Sequence, residues 1–177
     1  MDTMDLKTLT ALLDLPGFDV VEAVSDQKTK VRKLTIVATD VAAVCPHCRV
    51  LTDDRHECYD RMVVDLPLGG WKTELVVQLF QFDCPACKRY FSPRSSLLAP
   101  GAHATERFVE RLARLATDGD VSTAAKFLGV AEKTAERWYY DYLKRQTEDA
   151  GRKLKPIQCL GIDELSLKKG TANSCVC

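Results

Sequence analysis

Residues 84–91 read CPACKRYF, and residues 45–48 read CPHC. Each stretch holds two cysteines separated by proline and one further residue, and each is entered from a candidate β-strand. Such turns are knuckles that present two thiolates to one point, so two knuckles supply the four ligands of a closed tetrahedral zinc site. A closed site predicts a structural Zn²⁺ that folds the surrounding β-domain. The predicted metal ligands are Cys45, Cys48, Cys84 and Cys87.

The sequence leaves other interpretations of the cysteines open. CPHC alone would fit a thiol oxidoreductase, although that motif opens a helix within a βαβ unit and needs no second pair. Disulfides would need an oxidising compartment, which nothing in the sequence indicates. His56 or Cys58 could replace a ligand, while a buried free Cys58 would act as a small hydrophobic residue. Three further cysteines have no partner at a ligand spacing: Cys159, Cys175 and Cys177.

The composition is that of an ordinary soluble protein and indicates no partner. The chain has 177 residues, of which 46% are hydrophobic, and 25 Lys and Arg balance 25 Asp and Glu. Any nucleic-acid surface must therefore be local. No apolar run reaches the ~18 residues of a membrane span, and the acidic start, MDTMDLKTLT, lacks the basic residues of a secretory signal. We expect a cytoplasmic protein without membrane contact.

Hydrophobic periodicity predicts a helix and several strands around the knuckles. A short amphipathic helix is predicted at 6–13, and KVRKLTIVAT at 30–39 predicts a strand. RMVVDL at 61–66 and TELVVQLFQF at 73–82 predict a hairpin, with Gly69-Gly70 in its turn. The second knuckle follows the last strand directly, so the hairpin can bring the two cysteine pairs together.

Beyond the knuckles the hydrophobic period changes from 2 to 3.6. SPRSSLLAPGAHA at 92–104 predicts a linker, and a helix is predicted from near Thr105. Ser122 is the predicted N-cap of a second helix, and a third begins near Ala131 after a turn at Gly129. This is the layout of a helix-turn-helix, whose second helix can lie in the major groove of DNA.

The third helix has a predicted core face and a predicted outer face. The core face is predicted to comprise Ala135, Trp138, Tyr139, Tyr142 and Leu143. The candidate DNA contacts on the outer side are Lys133, Thr134, Arg137 and Lys144. Basic residues only slightly outnumber acidic ones in this part of the chain, so a packing or dimerisation module with a solvated charged face fits the same pattern.

The stretch IQCLGIDELSLKKG, at 157–170, ends an apolar run in Asp163-Glu164. Alone, an acid in this position is commonly a solvated loop residue. The order of zinc knuckles, helix-turn-helix, connector and acidic strand, however, resembles the amino-terminal part of insertion-sequence transposases of the ISL3 group. The matching stretches are LLDLPGFDV (12–20), CPHC (45–48), DLPLGGW (65–71), CPACKRYF (84–91), STAAKFLGVAEKTAERW (122–138) and GIDELSLKKG (161–170).

The resemblance implies a function for each part of the chain. Residues up to 155 would recognise the terminal inverted repeats of the element, with double-stranded DNA as partner. Asp163 would be the first acid of an RNase-H-like site of the DDE type, in which three acids hold two divalent metals, Mg²⁺ in a complete catalytic domain. The role of Glu164 is open because its side chain would point to the opposite face of the strand. A homo-oligomer or a full-length transposase is a further candidate partner.

We therefore expect a small multi-domain α+β protein. It would comprise an N-terminal segment with a zinc-ribbon-like β domain at 1–95, a helix-turn-helix domain at 104–146 and the orphan first strand of an RNase-H-like domain at 157–177. After Gly170 the sequence TANSCVC lacks the apolar strand that the family pattern requires, which suggests a frameshift or premature stop.

The expected function is that of a truncated transposase fragment, which binds DNA and does not cleave it alone. One alternative is a DNA-binding regulator derived from a transposase. The alternative from another class is a thiol oxidoreductase or a protein-interaction module.

Overall fold

The computed structural model describes residues 5–149, apart from the side chain of Asp149. Its helices are α1 (Leu6–Leu13), α2 (Glu106–Asp118), α3 (Val121–Leu128) and α4 (Glu132–Asp149). Its strands are β1 (Phe18–Asp26), β2 (Val31–Ala38), β3 (Ala43–Val44), β4 (Leu51–Thr52), β5 (Arg55–Leu68), β6 (Trp71–Asp83) and β7 (Tyr90–Phe91). The α+β class is confirmed, while the predicted strand at 157–177 lies outside the described residues.

The main sheet has the strand order β1-β2-β6-β5. β5 and β6 form an antiparallel hairpin whose turn residues Gly69 and Gly70 have φ angles of 63° and 79°. Positive φ at both central residues is the requirement of a type I′ turn, which glycine meets without steric cost. β2 lies parallel to β6, with Val31 opposite Lys72. β7 pairs with β6 at Phe82, beyond the end of β2, and β3 with β4 forms a separate small ribbon.

The sequence pattern did not predict β1. Only Val20 of this strand is buried, every residue from 21 to 26 is exposed, and an irregularity in the register between Val20 and Glu22 interrupts the alternation of apolar and polar residues. β1 pairs with β2 and completes the sheet edge. The amino-terminal segment therefore belongs to the same sheet as the hairpin that carries the knuckles.

One face of the sheet packs against α1 and forms the first core. Leu9 and Leu13 of α1 are 4% exposed. The other buried members of this core are Leu15, Val20, Leu34, Ile36, Val63, Leu75, Val77 and Leu97. Burial of these side chains stabilises the sheet by roughly 1.5–3 kcal/mol for each large residue.

The predicted linker at 92–104 contains no helix or named strand, and its second half, from Leu97 onward, packs against the two cores. Leu97 belongs to the first core, whereas Ala99, Ala102 and Ala104 belong to the core of the helices. Ala104 also bridges to Val64 of β5 through backbone pairing. Small residues and Gly/Pro punctuation are typical of linkers, but here the small side chains allow close backbone approach.

The helices α2, α3 and α4 enclose a second core around Phe108, Leu112, Ala125, Leu128 and Trp138. Thr105 caps α2 by accepting a hydrogen bond from the Phe108 N–H at 3.3 Å. α3 is capped by Asp120, which accepts from the Thr123 N–H at 2.8 Å. Ser122 is therefore not the N-cap: it lies inside α3, and its hydroxyl donates to Glu132 Oε2 at 3.1 Å.

An ion pair between a buried carboxylate and a partly exposed guanidinium, here called the Asp65–Arg107 joint, connects the sheet with the helices. Asp65 of β5 is 1% exposed. It accepts hydrogen bonds from Thr105 Oγ1 at 2.6 Å and from Arg107 Nε at 2.8 Å. Arg107 Nη1 also donates to the Leu13 and Asp14 carbonyls at 2.8 and 3.1 Å. One guanidinium thus holds α1, β5 and α2 together.

In the part of the chain that the structure describes, every helix is too short or too polar to cross a membrane.

Candidate metal centre and nucleic-acid interface

The two knuckles share one backbone hydrogen-bond pattern. The Cys45 and Cys84 N–H groups donate to the carbonyls of Val50 and Arg89, five residues later, at 2.9 and 3.0 Å. The carbonyls of the same cysteines accept from the N–H groups of Arg49 and Lys88, at 2.9 and 2.8 Å. Arg49 and Lys88 both have a left-handed backbone, with φ angles of 64° and 55°. This common geometry folds each Cys-Pro-x-Cys stretch back so that its two thiols converge.

The four sulfur atoms form one cluster. All four lie within 4.8 Å of one another. Cys45 Sγ is 3.7 Å from Cys87 Sγ, and Cys48 Sγ is 3.3 Å from Cys84 Sγ. A tetrahedron with Zn–S bonds of about 2.3 Å has sulfur separations of about 3.8 Å, which these distances approach. The cysteines are positioned for metal binding, and a donor set of four thiolates suits zinc.

The pKa values of the Cys84 and Cys87 thiols are shifted in opposite directions. Chiefly because the Cys87 backbone N–H donates to its sulfur, the pKa of the Cys84 thiol falls to about 6. Burial is the main cause that raises the pKa of the Cys87 thiol to about 12. Four adjacent thiols can all ionise only if a cation offsets their negative charge. A divalent metal would supply that charge and keep all four as thiolates.

The other two candidate ligands lie outside this cluster. Cys58 is an exposed residue of β5, opposite Phe80 of β6. The His56 ring packs against the Tyr90 ring, with centroids 4.2 Å apart. Neither side chain belongs to the four-sulfur group.

The hydrophobic cluster beside the sulfurs is small. It contains the buried side chains of Phe82 and Phe91, whose rings are stacked with centroids 5.9 Å apart. The remaining buried members are Cys45 and Cys84 themselves. Because so few apolar side chains are buried here, a metal would contribute a large part of the local folding energy.

The outer side of α4 carries the predicted DNA contacts. Lys133, Arg137 and Lys144 are exposed, and their spacing places them in one stripe along the helix. Thr134 lies beside this stripe and is half-buried. Tyr140, which is 59% exposed, falls within the stripe, so it is a further candidate contact, which the sequence pattern did not indicate.

Packing behind α4 fixes the orientation of the stripe. Ala135 and Trp138 are buried, and the Trp138 ring meets Phe108 edge-on with centroids 6.2 Å apart. Arg145 Nη1 binds the Glu106 carboxylate at 2.9 Å, which ties α4 to the start of α2. Leu143 is 37% exposed, so its predicted place in the core is wrong. Leu143 lies at the edge of the face that carries Ala135 and Trp138, and it is not a member of the second core.

The predicted catalytic residue, Asp163, lies outside the described residues, as does its neighbour Glu164.

Two family models match the chain. One describes the zinc finger of the transposases IS204, IS1001, IS1096 and IS1165 and matches residues 42–87. The other describes the helix-turn-helix domain of transposase family ISL3 and matches residues 95–143. Comparisons with curated proteins and with solved structures give no match.

The first match spans both knuckles and β5 and β6, while the second spans α2 and α3 and most of α4. Their order along the chain is the order that the resemblance predicts. The chain therefore carries the zinc ribbon and the helix-turn-helix domain of the ISL3 family of transposases, and it corresponds to the amino-terminal part of a member of that family.

Proposed function

We propose that the chain binds duplex DNA through its helix-turn-helix, with α4 in the major groove, and that the terminal inverted repeats of an insertion element are the target. The observation that carries this proposal is the exposed stripe of Lys133, Arg137 and Lys144 on the second helix of the motif. The buried Trp138 on the opposite side keeps this stripe directed outward. Long basic side chains at the start of a recognition helix reach base edges, and those further along reach phosphates.

The proposal gives zinc a structural role. One Zn²⁺ would be held by the four clustered thiolates of Cys45, Cys48, Cys84 and Cys87. With four protein ligands, such an ion has no open coordination position for a substrate or an activated water. It would join the first knuckle to the end of the β5–β6 hairpin.

The remaining expectations rest on the family resemblance. A role for Asp163 in an Mg²⁺-dependent catalytic site, and partnership with a second copy or a full-length transposase, stay predictions. A chain that acts on the DNA of an insertion element would work in the cytoplasm.

Binding to the terminal repeats of the insertion element tests the proposed function. We expect the zinc-loaded chain to bind a duplex with the terminal repeat of its element more tightly than a duplex of shuffled sequence. Arg137→Ala should weaken binding to the repeat by about 1–3 kcal/mol, if this guanidinium contacts a base edge, and should reduce the preference for the repeat. Fluorescence anisotropy at fixed salt measures both quantities.

Arg94→Ala is the matched control, since Arg94 is an exposed arginine outside the helix-turn-helix helices. It should leave the preference for the repeat unchanged. Equal affinity of the wild-type chain for repeat and shuffled duplexes would contradict recognition of the inverted repeats. Equal losses in both arginine variants would contradict the role of α4.

A further inference from the structure

One end of the sheet carries a basic cluster that lies outside the helix-turn-helix. It consists of Lys30 and Arg32 against the ring of Trp71, together with Lys28 in the same turn as Lys30, and we call it the Trp71 cluster. Lys30 Nζ lies 4.8 Å from the centroid of the Trp71 ring, and the guanidinium carbon of Arg32 lies 5.4 Å from it. Two cations therefore share one aromatic side chain, which attracts each of them.

Strand pairing brings these residues together from distant parts of the sequence. The turn between β1 and β2 and the turn between β5 and β6 meet at the same sheet end, because β2 and β6 are parallel and start side by side. The Lys72 N–H donates to the Lys30 carbonyl at 3.0 Å, which fixes the two turns to each other. The cluster is thus a fixed feature of the sheet.

The positive charge of the cluster is largely unpaired within residues 5–149. Lys28, Lys30 and Arg32 make no ion pair there, while the adjacent Lys72, on the opposite face of β6 from Trp71, pairs with Glu74 at 2.9 Å. The nearby Asp26 carboxylate accepts hydrogen bonds from the Lys28 N–H and the Thr29 hydroxyl, so it shapes the turn. Like charges held close together repel each other, and a bound anion offsets this repulsion. In a chain without net charge, this concentration of cations is a local anion-binding surface.

The cluster lies close to the helix-turn-helix along β5. Leu66 of β5 packs against the second core, and the carbonyl of Leu68 accepts a 3.5 Å hydrogen bond from Arg32. Two residues of a strand span about 7 Å. The Arg145–Glu106 pair ties α4 to the first residue of α2, in the same group of helices.

We infer that the Trp71 cluster binds phosphates of the DNA backbone beside the segment that α4 contacts. This inference rests on the proposed DNA binding. Lysine and arginine side chains that neutralise phosphates release counterions, which raises affinity without reading sequence. Trp71 holds the Lys30 and Arg32 side chains in place before binding, so less conformational entropy is lost when DNA arrives.

Salt dependence of binding to a mixed-sequence duplex of about 40 base pairs, roughly four helical turns, tests the inference. The test variant is the full-length chain with Lys28→Gln and Lys30→Gln, both at exposed positions. Its plot of log Kobs against log salt concentration should be shallower by about two units of slope, and its affinity at low salt should fall on the order of tenfold. Equal zinc content and equal melting temperatures confirm that the fold is retained.

The matched control removes the same charge elsewhere, with Lys7→Gln and Lys33→Gln. Both lysines are exposed, and Lys33 lies on the opposite face of β2 from Arg32. This control should keep the wild-type slope. A test variant with the wild-type slope, or a control with an equal loss, would overturn the inference while leaving α4 as the DNA contact.

The same assay separates this inference from the proposed target. If the wild-type chain binds repeat and mixed duplexes equally and the test variant has the shallower slope, recognition of the repeats fails and the Trp71 cluster stands. If the wild-type chain binds no duplex at all, both are overturned.

Discussion

At the scale of single residues, Asp65 is a charged side chain in a buried position, so it requires hydrogen-bond partners. Its carboxylate is nearly inaccessible to water, and Thr105 and Arg107 satisfy it with hydrogen bonds. Arg107 is itself held by the carbonyls of Leu13 and Asp14. A buried charge is tolerated only when it is paired and hydrogen-bonded, and here both partners of Asp65 come from α2 and its N-cap. The joint therefore specifies how the sheet and the helices fit together.

Arg107→Ala should strongly destabilise the chain. It leaves the Asp65 carboxylate buried and unpaired, and loss of one partner from a buried ion pair costs about 3–5 kcal/mol. Arg111→Ala, one turn farther along α2 at an exposed position, should change stability by less than about 0.5 kcal/mol. Urea unfolding followed by circular dichroism measures both. Similar midpoints for the two variants would show that Asp65 is solvated or otherwise paired.

At the scale of secondary-structure elements, we expect the folding of the two knuckles to depend on metal more than the folding of β5 and β6 does. β5 and β6 contribute Val63, Leu75 and Val77 to the first core, to which no cysteine of residues 5–149 belongs. β3, β4 and β7 have two residues each and surround a small hydrophobic cluster. Loss of zinc should therefore affect the knuckles and their short strands before it affects the sheet.

Cys84→Ser should abolish the binding of one zinc per chain. Hydrogen exchange should then lose protection in residues 43–52 and 83–91, while the central part of β6 keeps most of its protection. Cys58→Ser, which changes an exposed cysteine of β5, should retain both zinc and protection. Metal analysis and exchange mass spectrometry measure these outcomes. Full zinc content in the Cys84 variant would rule out the four-thiolate site.

Some elements were predictable from local sequence, and others depend on tertiary contacts. Gly69-Gly70 and the change of period near Thr105 are local signals, and the hairpin and α2 follow them closely. β1 carries no such signal because its residues beyond Val20 are exposed. Asp120 is the N-cap of α3, whereas Ser122 was predicted. Both residue types are good N-caps and the two positions are only two residues apart, so the local sequence does not decide between them. The knuckle spacing predicted the convergence of the cysteines, whereas the Asp65–Arg107 joint and the Trp71 cluster arise only when distant segments meet.

At the scale of the whole molecule, the candidate zinc site and the helix-turn-helix lie toward opposite ends of the β5–β6 hairpin. The knuckles adjoin Phe82, and the helices adjoin Val64 and Leu66. Among the residues that the structure describes, no cysteine belongs to the second core. The two parts are therefore linked through the sheet and the Asp65–Arg107 joint, without shared core residues.

Removal of zinc should leave the binding of duplex DNA by α4 largely intact. Because the second core is independent of the knuckles, the affinity of the chelator-treated chain should stay within roughly threefold of that of the zinc-loaded chain. Anisotropy titrations before and after chelation, followed by zinc addition, provide the comparison. A reversible loss of binding on chelation would instead place the knuckles in contact with DNA, or show that the sheet transmits their unfolding to the helices.

The parallel pairing of β2 with β6 also has a consequence for how the chain is made. β2 is synthesised long before β6, and the whole first knuckle and β5 emerge between them. At about 5–20 residues per second, several seconds pass between the synthesis of β2 and that of β6. Until β6 is made, Leu34 and Ile36 lack their neighbours from that strand in the first core. During that time the apolar edge of β2 is open to pairing with another nascent chain. Synthesis speed through residues 39–70 should therefore influence how much of the protein folds instead of aggregating.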